Sequence, residues 1–246
     1  MFNETFSGET SQTHRAESHA PWLSRSWKTL TGNQTGLMFG AGVFLVSVPV
    51  FIQAPLVREM PVLSLVLTIA LLVISGQLLR SPGKEVWGDL LLGFTWTWLT
   101  GGIYWGWLRW EPLWHLPVEA IFVPFALWGL ARNWGKVGNW FYLGSLFGTA
   151  VTDGYFYLTG LIPYWRQLMQ VEPSLVPEVF KGAIGQISTV WGISCALFLL
   201  GLLISISVWA FRTPKAHRWV FGGAVLGTIL VDGLFLCAAL GSQISR

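Results

Sequence analysis

Charge is what this chain has least of. Asp, Glu, Lys and Arg make up 11% of its 246 residues, less than half the share usual in soluble domains. A soluble globule of ordinary composition is a poor fit. Cysteine is scarce as well: Cys195 and Cys237 both lie in apolar stretches. They fit neither a disulfide framework nor metal-ligand spacing and read as small core residues. There is no Walker loop, dinucleotide fingerprint, histidine pair for haem, zinc spacing or nucleophile elbow, and no metal site is expected. An aspartate-rich motif for Mg²⁺–diphosphate is also missing, which argues against a standard prenyltransferase. The net charge of +3 comes without a basic run interleaved with aromatics, so nucleic acid is not an expected partner. The polar first 30 residues lack the short apolar core and cleavage site of a signal peptide.

What the chain does have is apolar length. Residues 29–57, 60–79, 90–108, 182–211 and 219–245 each hold at most one ionisable acid or base. A helix needs about 20 apolar residues to cross a bilayer. The expected fold is therefore an all-α polytopic membrane bundle of about seven spans, with the lipid bilayer as its surroundings. The spans are expected at 36–57, 60–79, 87–107, 116–131, 138–161, 188–211 and 219–242. Residues 1–35 read as a disordered cytoplasmic tail and 36–246 as a single transmembrane domain. The fourth span is short, and a partly re-entrant course is one reading of it. Pro49 and Pro55 should bend the first. In the loop 162–187, Val176, Val179, Phe180, Ala183, Ile184 and Ile187 recur at helical spacing after Leu175. With Pro177 suited to a first turn, this predicts an amphipathic helix on the outer surface.

Basic residues set the expected orientation. Ten of them (Arg15, Arg25, Lys28, Arg80, Lys84, Arg132, Lys136, Arg212, Lys215, Arg218) fall on the side of the N-terminus, and five (Arg58, Arg109, Arg166, Lys181, Arg246) on the other. The N-terminus is accordingly expected in the cytoplasm and the C-terminus in the lumen or periplasm. Most of the 16 tryptophans sit near span ends, as interfacial anchors do. Trp96 and Trp98 fall in mid-span instead, where their N–H groups need partners.

One phrase occurs twice. "GTAVTDGYFYLTG" begins at 148 and "GTILVDGLFLCAA" at 227, and a shift of 79 residues gives seven identities between 139–157 and 218–236. This predicts a parallel repeat covering at least one helix. Gly144 and Gly148, like Gly223 and Gly227, form G-x-x-x-G steps for close helix approach. Asp153 and Asp232 then lie roughly 20 Å beyond the inner helix ends, at about 1.5 Å per residue. Glu119 should reach the same outer zone, beneath a loop carrying Arg109 and His115. Acids within a membrane point to a functional site, with pairing across a helix interface as the structural alternative. The ligand-binding candidates are Glu119, Asp153, Asp232, Trp96, Trp98, Tyr104, Trp105, Tyr155 and Tyr157. Asp89 reads as a helix N-terminal residue.

The stretches "GDLLLGFTWTWLTGGIYWGWLRWEPLWHLPVEAIFVPFALWGL" (88–130) and "NWFYLGSLFGTAVTDGYFYLTGLIPYWRQLM" (139–169) bring in a family. From about residue 35 onward the chain resembles an uncharacterised integral membrane family of cyanobacteria, known as domain of unknown function 3120. That resemblance implies an oxygenic phototroph and a thylakoid or plasma membrane, and no activity. "LPVEAIF" (116–122), preceded by "TGGIYWG", is similar to a motif of membrane lycopene cyclases. That match makes Glu119 the acid that helps protonate a polyene, but Ala120 stands where the family has a second acid. "VPEVF" (176–180) is a poor second copy.

Three functions follow as expectations. The first is a non-catalytic pigment- or lipid-binding protein, or an assembly factor for a membrane complex of the photosynthetic membrane. Its ligand would be a carotenoid, chlorophyll or quinone. The second is a carotenoid or prenyl-lipid enzyme of the lycopene cyclase kind, with Glu119 as its catalytic residue. The third is a small-solute or proton-coupled transporter. No catalytic residue is assigned under the first reading, because Glu119 has no evident base to orient it once Ala120 replaces the second acid.

Overall fold

A computed structural model describes residues 21–244, and among these residues there is no strand. The helices are α1 (Pro21–Glu59), α2 (Pro61–Arg80), α3 (Glu85–Ile103), α4 (His115–Glu119), α5 (Val123–Ala131), α6 (Lys136–Leu158), α7 (Ile162–Leu168), α8 (Val176–Ile187), α9 (Val190–Phe211) and α10 (Ala216–Ile244). The all-α bundle is as expected. Its first helix begins earlier than expected, at Pro21, since no further proline interrupts the chain before Pro49. Residues 21–35 of the expected tail are part of this helix, and 1–20 lie outside the described residues.

Among the described residues, five segments are long and apolar enough to cross a membrane: Gln34–Glu59, Pro61–Arg80, Pro112–Ala131, Val190–Phe211 and Ala216–Gly241. The other two expected spans, α3 and α6, have 19 and 23 residues but are less apolar. The reason is their position. They are interior helices, and their buried residues include Gly93, Thr95, Thr100 and Gly102 on α3 and Asn139, Gly144, Gly148 and Asp153 on α6.

The bundle is apolar outside and partly polar inside. On α2 the buried residues are Ser64, Thr68 and Ser75, whereas Val62 is 66% and Ile69 63% exposed. On α9, Leu197 and Phe198 face outward at 65% and 72%. Water would not tolerate that arrangement over several helices, whereas lipid favours it. Several of the buried polar groups pair across helices, while Thr68 Oγ1 donates to the Ser64 carbonyl of its own helix. Gln53 Nε2 donates to the Trp98 carbonyl at 2.7 Å, Trp98 Nε1 to the Ser64 carbonyl at 3.0 Å, and Ser75 Oγ to the Gly88 carbonyl at 2.7 Å. Cys195 is buried as expected, but Cys237 is exposed, on the outward face of α10.

Glycines let three helices lie side by side. A Cβ on Gly42 of α1 would fall 2.5 Å from the Val220 carbonyl of α10, and one on Gly144 of α6 would fall 2.9 Å from the Phe221 carbonyl. Contacts along each pair advance in the same direction. Phe39 meets Gly223 and Val46 meets Gly227, while Gly148 meets Thr228. Thus α1, α10 and α6 run parallel. The core around them joins Met38, Leu90, Phe94, Trp98, Phe141, Val220 and Ala224.

The fourth span is broken. A 3₁₀ turn (Pro112–Trp114) leads into α4, and a second (Ala120–Phe122) separates α4 from α5. Pro124 has no N–H for the Ala120 carbonyl, which is where the α-helix lapses. At the same end of the bundle, α7 and α8 occupy most of the loop 162–187, and α8 lies against α7, α9 and α10. Its Val179 is buried while Glu178 and Lys181 face out. Residue spacing alone had indicated this amphipathic helix.

Candidate functional site

His115, the first residue of α4, is the centre of the polar site. Pro112 and the 3₁₀ turn deliver it into the bundle, and the α-helical register places Glu119 one turn later on the same face. His115 Nδ1 lies 2.9 Å from Asp153 Oδ1 on α6. Its Nε2 lies at ion-pair distance, 3.3 Å, from Glu119 Oε1. All three side chains are at least four-fifths buried.

The imidazole is walled by aromatic rings. After α3, residues Tyr104–Leu108 form a π-helical turn, a wider coil that recurs at functional positions. It brings Tyr104 and Trp105 to the same histidine, with ring centroids 4.3 and 5.7 Å from His115. Trp165 of α7 closes the remaining side at 5.7 Å and stacks on Trp105 at 5.6 Å. Trp165 Nε1 donates to the Arg109 carbonyl at 2.9 Å. Tyr142 of α6 fixes the break in the fourth span by donating its hydroxyl to the Glu119 carbonyl at 2.5 Å. Above the cluster, Arg166 binds Glu111 at 2.8 Å. That guanidinium holds the Glu111 carboxyl below the ordinary glutamate range.

The expected candidates divide by position. Glu119, Asp153, Tyr104 and Trp105 gather around His115. Asp232 stands one helix further on, accepting from Thr152 of α6 at 2.8 Å. Trp98 serves the packing of α1, α2 and α3 through its bonds. Trp96 lies elsewhere on α3, stacked on Phe122 at 4.5 Å and edge-on to Phe125 at 5.7 Å. Tyr155 reaches α9, where its hydroxyl donates to the Gly192 carbonyl at 3.4 Å, and Tyr157 is exposed. Asp89 does act at a helix N-terminus, but that of α6 rather than its own. It accepts from the amides of Val137 at 2.8 Å and Gly138 at 3.1 Å.

One correction concerns Glu119. It does have an orienting partner, His115, which the sequence reading placed in the overlying loop and assigned no part in the site. The readable signal was the i, i+4 spacing of His115 and Glu119 in an otherwise apolar run. Glu178, in the poor second copy of the motif, is exposed on α8 and stands apart, outside the spans as expected.

The profile of a family described as "Protein of unknown function (DUF3120)" matches residues 42–240. The chain belongs to that family. No curated protein and no solved structure matches it. The matched region contains every residue of the cluster, the π-helical turn, all of α6, and parts of α1 and α10.

Proposed function

We propose that this protein is a non-catalytic factor of a photosynthetic membrane, oriented with its N-terminus in the cytoplasm, that holds an apolar ligand with an extended π-system. The observation that carries this is a ribbon of rings along α3 and α5. From Trp96 stacked on Phe122, it continues through Phe125 to Trp128 at 6.0 Å and Trp134 at 5.5 Å. Phe125, Trp128 and Trp134 are 36%, 54% and 44% exposed, so the ribbon faces the surrounding lipid. Interfacial anchoring accounts for tryptophans at span ends but not for Trp96 in mid-span. Flat aromatic faces in sequence suit a carotenoid, chlorophyll or quinone ring.

The test is to express the chain in a host that makes polyenes, chlorophylls and quinones. It is then purified in mild detergent, and the absorption spectrum and an organic extract are analysed. A pigment or quinone at near-stoichiometric amount is expected, several-fold lower in the double variant W96A/F122A. Preparations free of isoprenoids, or unchanged by those substitutions, would overturn the reading.

One observation favours a second reading, a carotenoid or prenyl-lipid enzyme. His115 gives Glu119 the partner that an acid catalyst needs. On that reading Glu119→Gln leads to accumulation of a linear or unprenylated precursor. On the non-catalytic reading the polyene and quinone pools stay as they are.

A further inference from the structure

We propose that His115, Glu119 and Asp153 form a reversible proton-binding site, in which the exchangeable proton is taken by Asp153 Oδ2. This is independent of any ligand on the aromatic ribbon. The argument begins with counting protons. A neutral imidazole carries one N–H, yet both ring nitrogens face carboxylate oxygens, at 2.9 and 3.3 Å. With one ring proton, a nitrogen lone pair would oppose a carboxylate at one of these contacts. A second ring proton removes that opposition and leaves an imidazolium between two carboxylates, one net negative charge in a low-dielectric setting. Such a charge is expensive unless it is paired or neutralised.

Two buried atoms mark where the neutralising proton goes. Among the described residues, Asp153 Oδ2 and the Tyr104 hydroxyl have no hydrogen-bond partner. Asp153 is 6% and Tyr104 0% exposed. Asp153 Oδ1 is held by His115, so Oδ2 is the buried carboxylate oxygen left without a partner; Glu119 is the less buried acid, its side chain 18% exposed against 7% for Asp153. Ser64 Oγ and Arg166 Nε are also buried without a partner among the described residues, and the other charged or titratable groups around the cluster are engaged as follows. Glu111 is bound to Arg166, Arg109 donates to the Trp105 carbonyl at 3.0 Å, and Asp232 accepts from Thr152. Tyr104 lies in the electrostatic reach of Asp153, Glu119, Glu111 and Tyr157, and Tyr142 donates to the Glu119 carbonyl. Protonation forms one O–H bond on Asp153 at the expense of one in hydronium, and nothing is oxidised or reduced.

Infrared difference spectra of the full chain in phosphatidylcholine liposomes, taken across a pH titration, test this. A carboxylic C=O band should appear as the pH falls, shift in D₂O, and shift again on ¹³C-aspartate labelling. The chain has three aspartates, Asp89, Asp153 and Asp232. Asp89 already accepts on both oxygens, so the band should survive in D232N and vanish in D153N. If D153N does not fold, persistence of the aspartate band in D232N still supports the assignment. Absence of a titrating aspartate band in the wild type, or its loss in D232N, would overturn it.

Discussion

An alanine at position 93 would place its methyl group on the backbone of Gly138, so α3 and α6 would have to separate. Overpacking of this kind costs about 1–3 kcal/mol, and a backbone cannot yield as a side-chain tip does. Gly76 on α2 has open space around its added Cβ, and Gly76→Ala is the control. Thermal melts in detergent should show G93A strongly destabilised and G76A unchanged or slightly more stable; equal melting temperatures would refute the close contact. Glu111 permits a pH prediction at the same scale. Its carboxyl is depressed by the Arg166 hydrogen bond, so the stabilisation is fully present above the ordinary glutamate range. It is lost as pH falls through the lowered value. Melting curves of wild type and Glu111→Gln should therefore differ near neutrality and converge in acid. Persistence of the difference in acid would refute it. The place of Glu119 in the cluster was legible because a lone acid in an apolar run is conspicuous. His115 was not, because a histidine beside two tryptophans and a proline looks like interfacial loop chemistry. Its placement depends on the π-helical turn and the 3₁₀ entry, neither of which leaves a periodic signal.

At the scale of elements, legibility followed contrast between faces. Helix α8 could be read because its apolar positions alternate with Glu178, Lys181 and Gly185, and burial of Val179 follows that pattern. A carboxylate there would be buried without a partner and should lift the helix from α7 and α10. Limited proteolysis of Val179→Asp should therefore cut within 162–187 several-fold faster than the wild type, while Lys181→Ala is cut at the original rate. Equal rates would mean that α8 does not depend on its apolar face. The repeated phrase was legible as sequence but not in its use. Gly144 and Gly148 of α6 meet α10, whereas Gly223 and Gly227 of α10 meet α1. The same two steps thus serve successive interfaces in a parallel row. The two aspartates differ for the same reason: α6 has α4 beyond it to supply His115, while Asp232 of α10 turns back to Thr152 of α6. The break in the fourth span was expected as shortness, and Pro124 is its physical cause.

For the molecule as a whole, the question is how many times the chain crosses. Hydropathy singles out five crossings, yet α1, α10 and α6 run parallel, and α3 runs parallel to α6. On those two helices Asp89 meets Val137 and Gly138, and Phe94 meets Phe141 at 6.3 Å. Parallel neighbours joined by short connections require a return passage between them. Here α2, the broken fourth span and α9 supply the returns, and α1, α3, α6 and α10 the forward passages. This geometry predicts seven crossings, although α3 and α6 are not among the five segments apolar enough to be recognised by composition. Interior helices of a bundle can afford that polarity because protein, not lipid, surrounds them. In the proposed orientation, which follows the basic residues, the Asp89 end is the cytoplasmic one. It also bears Arg218, stacked over Trp209 at 4.1 Å and Trp140 at 4.8 Å. Reporters fused after Lys136 and after Lys181 flank α6 and should report opposite compartments, the first cytoplasmic. A shared compartment would mean that α6 does not cross; the row of parallel helices, and the cluster that α6 completes with Asp153, would then have to be abandoned together.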